Sequence, residues 1–283
     1  MNDSDIMAAR QPDPKDTVIH PTETYRVYAI KYARHERRSP ANFIGGDTHD
    51  VPMPLDYFVW AVVGKDRTFL VDTGFDQAGA DKRGRHITRP IHEGLQAVGI
   101  DPASVQDVII THMHYDHAGN RDLFPQARYH VQDKEMSFCT GRCMCHHPLA
   151  LHFEPDDVAS MVHKVFKGRV AFHDGDDEIA PGITVHHMGG HTAGLQVVRV
   201  HTEKGWMVLA SDASHFYANM EGKRPFPAVY NVADMMEAYR RIYALADAPQ
   251  LVIPGHDPQV LERFPAAGRE HEGWIARLDG DPR

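Results

Sequence analysis

The chain has 283 residues, 42% of them hydrophobic, which can fill the core of one or two domains. Its formal charge is −9 and no Lys/Arg run is long, so a nucleic-acid substrate is disfavoured, because such binding needs a positive phosphate-facing surface. No stretch approaches the ~20 apolar residues of a membrane helix, so no membrane association is expected.

Met1–Asp16 is polar and lacks an apolar signal core; residues 1–20 read as a disordered polar leader, and a cytoplasmic location is expected. The remainder, 21–283, reads as a single domain. Tyr25–Ala33 alternates and is rich in β formers, so it predicts a strand. Tyr57–Val63 and Thr68–Val71 predict a hairpin through Gly64-Lys-Asp-Arg67, ending in Asp72-Thr-Gly74. Arg89–Val98 has helical spacing and stops at Gly99. Val105–Ile110 is an apolar run that feeds the segment Thr111–Gly119. A short helix from Asn120 to Phe124 and a strand over Arg128–Gln132 are expected next.

Residues 133–167 break this rhythm and read as a helical lid insertion. Its apolar residues, among them Met136, Phe138, Leu149, Phe153 and Met161, suit an apolar substrate wall or a small satellite core. Cys139, Cys143 and Cys145 also lie here. An odd number without a signal peptide argues against a disulfide framework and fits a reducing cytosol. They read as small hydrophobes of the lid, with a structural metal as the alternative. Val170–His173, Ile183–His187, Gln196–His201 and Trp206–Ala210 are strand candidates, the last two a hairpin. Asp234–Ala246 predicts a helix and Leu251–Ile253 a buried strand; Gly255 frees the turn that brings His256 inward. Two strand-rich halves flanked by helices predict an α/β fold, an αββα four-layer sandwich of two packed mixed β-sheets.

The chemistry concentrates in Thr111-His-Met-His-Tyr-Asp-His-Ala-Gly119, which places three imidazoles and a carboxylate within six residues. Side chains alternate along an extended segment, so His112 and His114 point the same way, and Asp116 and His117 swing in as the chain turns. Neutral imidazoles and a carboxylate are ligands that zinc, iron and manganese accept. With His191, Asp212 and His256 added, there are enough ligands for two divalent metal ions, zinc first, with iron, manganese or cobalt as alternatives.

This H-x-H-x-D-H motif, with Gly189-Gly-His-Thr192, Ser211-Asp212 and Pro254-Gly-His-Asp257, resembles the metallo-β-lactamase superfamily. Within it, the chain is most similar to the N-acyl-homoserine lactonase-like branch of lactone hydrolases, from about Tyr25 to about Pro265. The resemblance implies the same sandwich, with the metal site at one edge between the sheets. It implies that His112, His114 and His191 hold one metal, that Asp116, His117 and His256 hold the other, and that Asp212 bridges them. It implies hydrolysis of an N-acyl-homoserine lactone or related lactone by a metal-bridging hydroxide, with Asp116 also carrying the proton to the leaving oxygen.

In that branch a Tyr stands three residues after the bridging Asp, where it contacts the substrate. Here His215 stands there, with Tyr217 two residues on, so both are candidate catalytic donors. Asp72 is the best candidate to hold a ligand imidazole by its other nitrogen. Asp257 suits orienting the His256 loop, while Lys223 and Arg224 suit either a substrate carboxylate or a solvated loop. The substrate partner is expected to be a small lactone or ester, and the chain a monomer or homodimer. Two alternatives stand beside this: an ester or thioester hydrolase of the glyoxalase II kind, and a metal-bound signal binder without turnover. The glyoxalase family adds a C-terminal helical domain, for which the tail after Pro265 is short.

Overall fold

The computed structural model describes residues 23–281; the expected polar leader lies outside the described residues. β1 (Arg26–His35), β2 (Leu55–Val63) and β3 (Thr68–Val71) run antiparallel. Then come α1 (Gln77–Arg83), the short β4 (His86–Ile87) paired to β1, and α2 (Ile91–Ala97). β5 (Asp107–Ile109), β6 (Arg128–Gln132) and β7 (Val170–His173) continue the sheet in parallel from β3, with α3 (Tyr115–Ala118) between β5 and β6. Between β6 and β7 lie α4 (Asp133–Cys139), α5 (His147–Ala150) and α6 (Pro155–Phe166), so the expected insertion is helical.

The second sheet is built from β8 (Asp177–Ala180), β9 (Ile183–His187), β10 (Gln196–Thr202) and β11 (Gly205–Ser211), all antiparallel. After α7 (Tyr217–Gly222) and α8 (Val232–Leu245), β12 (Val252–Pro254) joins β11 in parallel. α9 (Gln259–Arg263) then leads to β13 (Ile275–Arg277), which crosses back to pair with β1. The sheet orders are β13-β1-β2-β3-β5-β6-β7 and β12-β11-β10-β9-β8.

Alternation decides which face each residue serves. Val27, Ala29, Phe58, Trp60 and Val62 fill the space against Val185, Val198 and Leu209 of the second sheet. Their neighbours Tyr28, Ile30, Tyr57 and Val59 pack on the other side with Ile91 and Leu95 of α2. Strands buried on both faces read as continuous apolar runs, which is why β2 was so legible. Each such buried Val or Phe stabilises by about 1.5–3 kcal/mol, which commits the sheets to each other. α8 covers the outer face of the second sheet through Met235, Ala238 and Ile242. The result is the expected four-layer αββα sandwich. Among the described residues, no helix is long and apolar enough to cross a membrane.

One sequence expectation needs amending, and the strands β8 and β13 carry no sequence expectation. Asn120–Phe124 is a turn, not a helix: Asn120 takes a left-handed φ of 48° directly after Gly119, and the helical turn lies earlier, at α3 inside the motif. β8 begins Asp-Glu, a charged pair without β preference, and was not expected. β13 is only three residues long, too short for any period to show, yet it closes the first sheet.

Candidate metal centre

Five connections deliver the site to one edge of the sandwich. β3 ends at Asp72 and β5 at the motif; the β9–β10 loop carries His191, β11 runs into Asp212, and β12 into His256. Asp72 and Ser211 both adopt left-handed backbone, φ 61° and 45°, where non-glycine residues are uncommon. In the His191 loop, Gly190 has φ 86°, and a Cβ there would lie 2.7 Å from the Met235 nitrogen. Only glycine lets this loop close against α8.

Hydrogen bonds outside the ligand set aim the imidazoles. Asp72 is fully buried and accepts from Thr111 N (2.7 Å), Thr111 Oγ1 (2.8 Å) and His117 Nδ1 (2.8 Å). This is the partner role the sequence suggested for it. His191 Nδ1 donates to the Ala228 carbonyl at 2.6 Å, and His256 Nδ1 to the Asp56 carbonyl at 3.0 Å. With Nδ1 so engaged, the Nε2 lone pair of each ring faces inward. Glu135 from α4 accepts from Met113 N (2.7 Å), Thr192 Oγ1 (2.6 Å) and Gly194 N (3.1 Å). That one buried carboxylate ties the motif to the His191 loop. Sequence reading missed it, because a Glu in an amphipathic helix gives no signal of burial.

Among the described residues, the inward atoms form four overlapping groups, two that include Asp212 (with His112 and His117, and with His191 and His215) and two without it. The donor atoms of His112, His114 and His191 lie within 4.8 Å of one another, and so do those of Asp116, His117 and His256. Asp212 stands between these last two groups and divides its oxygens. Oδ2 is 3.1 Å from His191 Nε2 and 3.9 Å from His112 Nε2; Oδ1 is 2.9 Å from His256 Nε2 and 3.5 Å from His117 Nε2. Asp116 Oδ2 lies 3.6 Å from His117 Nε2 and 3.8 Å from His256 Nε2. His112 Nε2, His117 Nε2 and Asp212 Oδ1 are buried with no hydrogen-bond partner. Orphaned buried nitrogens and oxygens facing a common point are costly unless something binds there. A borderline N/O donor set of this composition fits divalent zinc, iron, manganese or cobalt.

Charge is divided across the cluster. Burial would raise the Asp212 carboxyl, but His215, His256, His117 and His191 outweigh it and hold Asp212 well below the usual carboxylate range. Burial, then neighbouring imidazoles, keeps His112 and His114 neutral, well below the ordinary histidine value. Burial also disfavours charge on His117, yet Asp212, Asp116 and Asp72 hold its proton well above that value. A cation binding to His117 therefore displaces a proton.

His215 is at the site. Its Nε2 lies 3.1 Å from Asp212 Oδ2, its ring stacks on Phe226 at 3.7 Å, and burial pushes it down to about 3 despite Asp212. Tyr217 is not there, which corrects its expected role as a donor. It opens α7, and its ring is buried in the hydrophobic core beneath the Arg263 guanidinium, 3.6 Å away, with the hydroxyl unpartnered. Asp257 is buried and accepts from Tyr217 N and Gln259 N, so it shapes the loop after His256. Lys223 and Arg224 stand off: Lys223 is exposed, while Arg224 lies over Phe43 and pairs with Asp47 at 3.8 Å. The three cysteines are free; Cys139 is buried in the core, Cys145 is exposed, and no potential metal group among the described residues includes them.

Several lining residues gave no sequence signal. Tyr57 and Tyr115 bring their hydroxyls to 3.4 Å of each other beside the ligands. His152 places its ring 5.3 Å from that of His114. Arg37 and Arg85 line the same cavity. Phe138 and Leu149 of the insertion line an outer cavity of about 300 Å³, and Met136, Phe138, Phe153 and Met161 are part of the core.

The chain is similar to known proteins. The model of the metallo-beta-lactamase superfamily matches residues 53–256. The chain belongs to this superfamily. It is 26% identical over 224 residues to an N-acyl homoserine lactonase of a Bacillus species, covering 72% of this chain and 82% of that one. Among solved structures, it is similar to a quorum-quenching N-acyl homoserine lactone lactonase (TM-score 0.68, 23% identity, 83% of this chain and 92% of the other). It is also similar to a dizinc quorum-quenching lactonase in complex with a product (TM-score 0.63, 14% identity, 83% and 91%). At these identities the solved structures speak for the fold.

Proposed function

We propose that this protein is a dinuclear metal-dependent lactone hydrolase that opens an N-acyl-homoserine lactone or a related ring ester. The observation that carries the reading is Asp212, whose two oxygens serve two separate histidine groups. His112, His114 and His191 would hold one divalent ion, and Asp116, His117 and His256 the other, with Asp212 shared. Zinc is the first choice, in keeping with the dizinc structural neighbour. Such a pair of ions, when bound, supplies Lewis acidity and a water that ionises near neutral pH.

The chain's own residues do the rest. Asp116 is the least buried member of the ligand set, and so can pass a proton between attacking water and the departing ring oxygen. His215 Nε2 donates to Asp212 and fixes the orientation of the shared carboxylate. Its other nitrogen, Nδ1, is buried without a partner. Asp72, through His117, keeps one imidazole aimed before any ligand arrives. Preorganisation of this kind lowers the barrier because nothing must reorient during the reaction.

The test is a panel of lactones of varied acyl length, with thioesters and open-chain esters beside them, followed by acid release. Ring opening of at least one lactone class, well above the thioesters, is expected. A protein that binds lactones tightly and releases no acid from any ester is a binder, and the hydrolase reading then fails.

A further inference from the structure

Two guanidiniums stand at the mouth of the metal centre without a carboxylate. Arg37 follows β1 and Arg85 lies between α1 and β4; both are half-buried and line the cavity that contains Asp116, Asp212 and His215. Arg37 donates Nε to Asn42 Oδ1 at 2.7 Å and Nη2 to the Ala41 carbonyl. Arg85 donates Nε to the Tyr115 hydroxyl at 3.2 Å and Nη1 to the Arg83 carbonyl at 2.8 Å. Every one of these acceptors is neutral. Neither arginine has an ion pair among the described residues, although nearby Arg34 pairs with Asp56 at 3.5 Å and Arg83 with Glu154 at 3.6 Å.

The local field is positive as a result. Burial, then Arg85 and Arg37, push the neighbouring His35 down to about 4. The acids in the cavity do not relieve it, since Asp116 and Asp212 face imidazoles. Half-buried cations without counter-charge are costly to hold. Arg37 also borders the outer cavity, which Phe138, Leu149, Phe226 and Tyr230 make largely apolar. Arg37 and Arg85 therefore mark a place where an anionic group would be welcome and where a neutral one would waste two donors.

We propose that the substrate carries a carboxylate, which Arg37 and Arg85 grip while its ring carbonyl faces Asp212. This rests on the lactone-hydrolase reading and narrows it to anionic lactones. Guanidinium edges match the two oxygens of a planar carboxylate, so this pair suits that group. The role that sequence reading offered to Lys223 and Arg224 passes to a pair 138 or more residues earlier in the chain.

Calorimetric titration of the metal-loaded enzyme tests it, with γ-lactams as slowly hydrolysed probes. One set bears a carboxylate on the ring or on a two-carbon arm; the other bears the matching carboxamide. Charge-assisted hydrogen bonds imply about a tenfold or larger preference for the carboxylate in the wild type. Arg85→Gln and Arg37→Gln are each expected to shrink that ratio to within about threefold. No wild-type preference, or a preference that survives both substitutions because the metals alone take the carboxylate, overturns the proposal. Arg37 also braces Asn42, so Arg85→Gln alone decides if Arg37→Gln fails to fold. Binding is read without turnover, so an enzyme that opens no lactone at all sinks the earlier reading by a separate measurement.

Discussion

At the floor of the site, Asp72 and Glu135 each accept three hydrogen bonds while almost wholly buried. At the mouth, Arg37 and Arg85 line the cavity and spend their donors on neutral groups. The floor is over-determined: two loops, two strand ends and a helix fix the ligand rings before any ion arrives. The mouth is held more sparsely, by single bonds such as Arg85 to the Tyr115 hydroxyl and Arg37 to Asn42. A change at the floor should therefore cost metal binding and folding together. A change at the mouth, Arg85→Gln above all, should alter which substrate is taken and cost the fold less.

The largest effect that can break this contrast is at Asp72. Asp72→Asn keeps the shape and tolerates the left-handed backbone, but it weakens the grip on His117 and Thr111. Metal affinity at the Asp116–His117–His256 group should fall by about 10–100-fold, read by competition with a chelator. An unchanged affinity would mean the floor is not preorganised. A smaller effect separates two neighbours. His215→Phe removes the contact with Asp212 and should lower kcat by about tenfold or more, whereas Tyr217→Phe should leave kcat within about twofold. Equal losses from both would contradict the placement of Tyr217 in the core.

The smallest effect concerns a buried carboxylate without such bracing. Asp157 on α6 has one ion-pair partner among the described residues, Arg121 at 3.2 Å, and burial pushes it from 3.8 up to about 7 despite that cation. The folded chain thus holds this proton more tightly than the unfolded chain. The stabilisation is complete below about pH 4 and is lost as pH rises through about 7. Asp157→Asn should flatten the fall in Tm across that window and raise Tm above wild type at pH 8. A variant with the wild-type profile would show that Asp157 does not titrate there.

The same contrast explains what could be read from the amino acids alone. The floor was legible because its ligands crowd into Thr111–Gly119 and because His191, Asp212 and His256 follow glycine pairs or strand ends. The buried strands were legible because both of their faces are apolar. Glu135, Arg37, Arg85 and Tyr57 were not, since each reaches the site through long-range packing that leaves no local period. Tyr217 went astray for a related reason: two residues of separation say nothing about which way a side chain leaves the first turn of a helix. β13 was invisible because three residues carry no pattern, although it fixes the edge of the first sheet.

The most direct test is elemental analysis of the purified protein beside its Asp212→Ala variant. Two equivalents of divalent metal per chain are expected in the wild type, and fewer than one, with loss of hydrolysis, once the shared carboxylate is gone. One equivalent or none in an active wild type, or full loading and turnover in the variant, would contradict a pair of ions held by a single aspartate.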